Sequence, residues 1–210
     1  MIDNKFIPIV RGQSPEDVLQ IANALYDGGV KVIEITLNSP KALKAIELVG
    51  DQFGSEMTVG AGTVLDSESA RAAIMAGAQF ILAPTVDQET IKITKRYGAI
   101  SIPGAMTPSE ILTAYETGAD IIKVFPVTAL GPKYIKDIKG PLPHIPLMPT
   151  GGVDLDNFED YLKNGAIACG LGSSLVHSTT ALNSEYLTKL SEKAKQFKWI
   201  ADRYKGGASK

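Results

Sequence analysis

The sequence predicts an α/β protein, a single (β/α)8 (TIM) barrel domain over residues 1–210, on three observations. Eight short apolar runs alternate with eight stretches of helical character, the pattern of a parallel sheet with crossover helices. The glycines that close the helices recur regularly: Gly77, Gly98 and Gly118 lie 21 and 20 residues apart, while Gly29 to Gly77 and Gly118 to Gly165 span 48 and 47, two units each. No long insertion interrupts the units. A doubly wound open sheet is the alternative, but it more usually holds five or six strands.

Each element has a local reason. Phe6 to Val10 is strand one, ending at Arg11-Gly12. Ser14 caps a helix with Pro15 in its first turn, which runs to Asp27 and stops at Gly28-Gly29. Val32 to Thr36 is strand two, and Ser39-Pro40 opens the next helix in the same way, ending near Gly50. Strand three is Met57 to Gly60, with a helix from Ser67 to Ala76. Strand four is Phe80 to Ala83, with a helix from Asp87 to Tyr97. Strand five is Ile100 to Pro103, followed by the capping box Thr107-Pro108-Ser109-Glu110 and a helix ending at Gly118. Strand six is Ile121 to Pro126, with a helix within Pro132 to Lys139. Strand seven, Pro146 to Thr150, is weakened by its prolines; Asp154 caps a helix ending at Asn164-Gly165. Strand eight is Ala166 to Gly170, and Glu185 to Tyr204 is the last helix.

Composition excludes several classes. Hydrophobic content of 44% and charged content of 21% are those of an ordinary globular protein. A net charge of −2 gives no electrostatic footprint for nucleic acid or an anionic membrane. Met1-Ile2-Asp3-Asn4-Lys5 lacks the apolar stretch of a signal peptide, and no apolar segment reaches transmembrane length. A cytoplasmic enzyme or binding protein is expected. The single cysteine, Cys169, lies in an apolar run and reads as a small buried hydrophobe. His144 and His177 are not at metal-ligand spacing and read as solvent-facing or structural. No metal is expected. No Ser-His-Asp arrangement, P-loop or Gly-x-Gly-x-x-Gly stands out.

The chemistry concentrates on strand six. Alternation puts Ile121, Lys123 and Phe125 on one face, so Lys123 points into the interior if both faces are covered. Burial disfavours an ammonium and yields a nucleophilic amine, the group that Schiff-base chemistry needs. The bland alternative is a lysine that snorkels out or pairs with a carboxylate. Glu34 lies on strand two, across a barrel from strand six, and even-numbered strands share layers of the lumen. A carboxylate and an amine could thus meet in one layer; the bland reading is a partner that merely neutralises Lys123. Arg11, Asn38, Thr63, Thr85, Thr128 and Thr150 follow strand ends on the same rim and suggest a polar cup. Asn38 alone would pass for a helix cap, and Arg11 for a surface partner of Glu16 or Asp17. After strands seven and eight come Thr150-Gly151-Gly152 and Gly170-Leu171-Gly172-Ser173-Ser174. Loops there often bind phosphate through backbone N–H groups, although either cluster alone reads as turn glycine.

Glu34-Ile35-Thr36-Leu37, Gly60-Ala61-Gly62-Thr63-Val64-Leu65, Lys123-Val124-Phe125-Pro126 and Pro149-Thr150-Gly151-Gly152 together resemble the 2-keto-3-deoxy-6-phosphogluconate and 4-hydroxy-2-oxoglutarate aldolases. The likeness runs from Ile7 to Val176. It implies a metal-free class I aldolase without cofactor, commonly a homotrimer, acting on small keto acids of the Entner-Doudoroff type. It carries the Schiff-base role onto Lys123 and the acid/base role onto Glu34. Substrate contacts fall on Arg11, Asn38, Thr63, Pro84, Phe125 and Thr150, with Thr63 at the pyruvate carboxylate. Phosphate binding falls on Gly151, Gly152, Gly172 and Ser173. Many gluconate-type members have arginine where Asn38 stands. Leu37-Asn38-Ser39-Pro40 and Arg11 look more like the 6-phosphogalactonate aldolases, whereas Pro149-Thr150-Gly151 looks like the gluconate type, so the C4 epimer stays open. Because Asn38 is neutral, Arg11 is expected to reach across from strand one and grip the substrate carboxylate. A sugar-phosphate isomerase using Glu34 as base and a non-catalytic metabolite binder are the alternatives.

Overall fold

The computed structural model describes residues 4–177 and 182–204; the predicted extent of 1–210 runs beyond these at both ends. The strands are β1 (Phe6–Val10), β2 (Val32–Thr36), β3 (Thr58–Gly62), β4 (Phe80–Leu82), β5 (Ile100–Ile102), β6 (Gly104–Ala105), β7 (Ile122–Val124), β8 (Leu147–Pro149) and β9 (Cys169–Leu171). The helices are α1 (Pro15–Asp27), α2 (Ala42–Phe53), α3 (Ser67–Met75), α4 (Gln88–Arg96), α5 (Pro108–Glu116), α6 (Gly131–Lys139), α7 (Phe158–Lys163) and α8 (Ser184–Asp202).

All pairings are parallel, as the alternation of strands and helices predicts. Six strands run in the order β5-β4-β3-β2-β1-β9, and three in the order β6-β7-β8. The expected fifth strand is two segments, because Pro103 has no N–H to give the ladder. Its carbonyl still accepts from the Lys123 N–H at 2.9 Å, and Gly104 N–H resumes by bonding the Thr85 carbonyl at 3.2 Å. The ring closes between β8 and β9 through Ile167 N–H to the Leu147 carbonyl and a bridge from Thr150 to Gly170. The fold is therefore the predicted barrel, with β7, β8 and β9 standing as its sixth, seventh and eighth strands.

Helix starts follow the side chains that can cap them. Ser14 accepts from Asp17 N–H, with Pro15 at the first helical position, and Thr107 and Glu110 form the full capping box of α5. Three local expectations are corrected. Ser39 does not cap α2, which begins at Ala42 after Lys41 in a left-handed conformation (φ 49°). The Ser39 hydroxyl instead accepts from Gly12 N–H at 2.8 Å and meets Thr36 Oγ1 at 3.0 Å, tying the β2 rim to the β1 rim. Asp154 does not cap α7. Its Oδ1 accepts from the N–H groups of Asp156 and Asn157, a turn that delays the helix to Phe158. The eighth strand starts at Cys169, not Ala166, since Cys169 is the first residue in register with β1.

At the amino-terminal end of the barrel Phe6, Phe158 and Phe197 pack ring against ring at 5.3–6.0 Å, binding α7 and α8 to β1. Fully burying such side chains stabilises the fold by about 1.5–3 kcal/mol each. That end is sealed, and the polar residues gather at the opposite rim.

Candidate active site

Lys123 sits on β7 with only 5% of its surface exposed, and Glu34 on β2 with 1%. A carboxylate fits in the lumen because Gly62 faces it: a Cβ there would fall 1.7 Å from Glu34 Oε1. Desolvation raises the Glu34 carboxyl to about 7, although the Lys123 and Arg11 charges pull it down. Desolvation likewise holds the Lys123 amine below the ordinary lysine range; Glu34 opposes this and Arg11 adds to it. The two groups feel each other without closing an ion pair, and Glu34 Oε2 has no hydrogen-bond partner among the described residues. A carboxylate that served only to neutralise Lys123 would contact it. The lysine Nζ lies 4.5 Å from the centre of the Phe125 ring, which walls it on one side.

Arg11 does not pair with Glu16 or Asp17. Its Nη1 donates to Asn38 Oδ1 at 3.0 Å and its Nη2 to Thr63 Oγ1 at 3.3 Å. Both partners are neutral, so the guanidinium lines the cavity without an ion pair among the described residues. Asn38 caps no helix, since α2 starts four residues later. Thr63 is held at φ 56°, a left-handed conformation that a β-branched residue rarely adopts. Such strain costs on the order of 1–3 kcal/mol and clusters at functional sites.

These residues open onto a cavity of about 870 Å³ lined by Arg11, Thr63, Pro84, Lys123, Phe125 and Thr150, and by the two glycine loops. Gly151 and Gly152 have φ of 89° and 77°, the turn that glycine permits. Their N–H groups, and that of Ser173, donate to no described residue. Of the four buried side-chain oxygens left without partners among the described residues, three belong here: Glu34 Oε2, Thr150 Oγ1 and Ser174 Oγ. Unpaired buried polar atoms are rare enough to need a reason, and a polar ligand supplies one.

A family model described as "Aldolase: KDPG and KHG aldolase" matches residues 1–192. The chain belongs to this family. It is an aldolase, hence a lyase, and the isomerase and non-catalytic alternatives give way to that reading. Over 170 residues it is 39% identical to the 2-dehydro-3-deoxy-6-phosphogalactonate aldolase of Escherichia coli K12, covering 80% of this chain and 83% of the relative. A solved structure titled "Native KDPGal structure" superposes with a TM-score of 0.87 at 34% identity, over 95% of this chain and 94% of that one. A KDPG aldolase from Legionella pneumophila, solved with pyruvate captured as a covalent carbinolamine, gives a TM-score of 0.78 at 29% identity, over 96% and 95%.

In this aldolase ten of the twelve residues expected at the site line the cavity: Arg11, Thr63, Pro84, Lys123, Phe125, Thr150, Gly151, Gly152, Gly172 and Ser173. The other two adjoin it, Glu34 by its influence on Lys123 and Asn38 by its bond to Arg11. Thr85 and Thr128, read as rim residues, do not line it. Gly170 and Ser174, from the glycine loop after strand eight, line it as well, and so do Ile9, Val153, Asp154, Val176 and His177, which were not expected there. His177 is exposed as foreseen, but it faces the cavity instead of being merely structural. Its position past strand eight, the same rule that located the glycines, was the available signal.

Among the described residues no helix is long and apolar enough to cross a membrane, and no group of three or more His, Cys, Asp or Glu could hold a metal ion.

Proposed function

We propose that this aldolase cleaves 2-keto-3-deoxy-6-phospho sugar acids to pyruvate and glyceraldehyde 3-phosphate through a Schiff base on Lys123. The observation that carries the reading is a buried amine that closes no ion pair among the described residues, opening onto a cavity that a guanidinium also lines. The carbinolamine reported for the Legionella relative supports it.

The Lys123 amine attacks the C2 ketone, and loss of water from the carbinolamine gives an iminium. Arg11 grips the adjoining carboxylate with parallel N–H bonds, assisted by Thr63. Glu34, directly or through a water, takes the C4 hydroxyl proton. The C3–C4 bonding pair moves to C3 as the iminium becomes an enamine, and the aldehyde departs. Protonation at C3 and hydrolysis release pyruvate and restore the amine. Proton transfer by a positioned side chain contributes about 10²–10⁴-fold. The distal phosphate rests on the free N–H groups around Gly151, Gly152, Gly172 and Ser173. A cytoplasmic homotrimer is proposed with this activity.

The test is cleavage of the gluconate and galactonate epimers and of 4-hydroxy-2-oxoglutarate, with pyruvate release measured for each. The proposal expects kcat/KM for at least one phosphorylated epimer to exceed that for 4-hydroxy-2-oxoglutarate. Equal values for all three would remove the phosphate from it.

A further inference from the structure

The glycine loops provide backbone donors but no formal charge, and Asp154 on the same cavity wall brings a carboxylate. Its Oδ1 accepts two N–H groups in the turn before α7. A phosphate dianion therefore needs a further donor at this end of the cavity. Two side chains on the loop after β9 meet the requirement. Ser174, on the cavity wall, has a buried hydroxyl without a partner among the described residues. His177 lines the same wall and is exposed.

His177 is also held in place. Its carbonyl accepts from Gln13 Nε2 at 3.4 Å, and its N–H donates to the Tyr186 hydroxyl at 3.0 Å. The loop is thus pinned from the approach to α1 on one side and from α8 on the other. Gly172 has neither a positive φ nor a neighbour within 4 Å of a built Cβ, so neither backbone nor packing calls for glycine.

We propose that His177 and Ser174 complete the subsite for the substrate's distal phosphate, the Ser174 hydroxyl and the His177 imidazole N–H each donating to a phosphate oxygen. An imidazole keeps one N–H donor when neutral and gains charge when protonated, so it serves a phosphate in either state. The inference rests on the aldolase reading of this cavity but adds residues that discriminate phosphorylated from unphosphorylated substrates.

Glycerol 3-phosphate, which has no carbonyl to react with Lys123, isolates the subsite, with glycerol as the uncharged control. Calorimetry on the wild-type chain should show glycerol 3-phosphate binding and no glycerol binding. His177→Asn should weaken the former roughly tenfold, the scale of one charge-assisted hydrogen bond. Ser174→Ala should weaken it less, and His177→Lys should restore most of the loss. Borohydride-trapped pyruvate on Lys123 should form at the wild-type rate in all three, showing that the barrel is intact. Unchanged affinity in His177→Asn, or no rescue by lysine, would overturn the inference. Binding that behaves as described alongside a failure to trap pyruvate would instead overturn the Schiff-base mechanism and leave the subsite standing.

Discussion

Glu34 is stripped of water by the fold and left with one oxygen unpartnered, and that has consequences for stability as well as chemistry. Its carboxyl is raised from an ordinary 4.5 to about 7, so between those values the folded state holds more protons than the unfolded chain. Stability attributable to this group therefore falls as pH rises through that window, by up to roughly 3 kcal/mol. Glu34→Gln is expected to raise the melting temperature at pH 8, to lose that advantage below pH 4.5, and to cut turnover by 10²-fold or more. Calorimetric melts at the two pH values, with a pyruvate-release assay, read all three; an unchanged turnover would leave Glu34 a structural residue. Arg11 acts on both proposed catalytic groups, lowering Glu34 and Lys123 together. Arg11→Ala should therefore move both limbs of the kcat/KM profile to higher pH as well as raise KM. Arg11→Lys should keep the charge but weaken keto-acid binding about tenfold, since lysine lacks the planar fork. Adding Asn38→Arg should recover part of it. Keto-acid kinetics indifferent to Arg11→Ala would return the carboxylate to Thr63 and backbone donors.

Elements were legible where local chemistry is strong. Ser14-Pro15 and Thr107-Pro108-Ser109-Glu110 announced α1 and α5 because capping satisfies orphan N–H groups within the segment itself. Ser39-Pro40 carries the same signature, yet its serine is taken by Gly12 and Thr36, partners that only the closed barrel supplies. Pro103 splits the fifth strand because a missing donor matters only once the neighbouring strand is known. Lys123 and Glu34 were readable as lumen residues from alternation alone, whereas the fit between β2 and β3 was not. Gly62 sits in register with Thr36, and its bare Cα admits the Glu34 carboxylate. Gly62→Ala should displace that carboxylate, lowering turnover by at least tenfold and destabilising the fold by about 1–3 kcal/mol from overpacking. Trapping of pyruvate should suffer less than turnover. Wild-type turnover would mean that the carboxylate does not depend on that vacancy.

At the scale of the whole molecule, the barrel gathers rim residues from β1, β3, β4, β7, β8 and β9 into one cavity, the rim at which one fold-level rule placed most of the candidate residues. The same rule reached the loop after β9 that carries Ser174, whereas the placing of His177 also draws on Gln13 and Tyr186, distant in sequence. The proposed chemistry runs on side chains alone, with the iminium as electron sink. Cleavage is accordingly expected to survive exhaustive chelation, and activity lost to chelator and restored by a divalent cation would contradict the mechanism. The measurement that bears most directly on that mechanism is borohydride reduction in the presence of pyruvate, followed by peptide mapping. The buried Lys123 predicts one stable adduct per chain on the peptide containing it, abolished in Lys123→Arg. Label on another lysine, or none, would contradict the Schiff-base account.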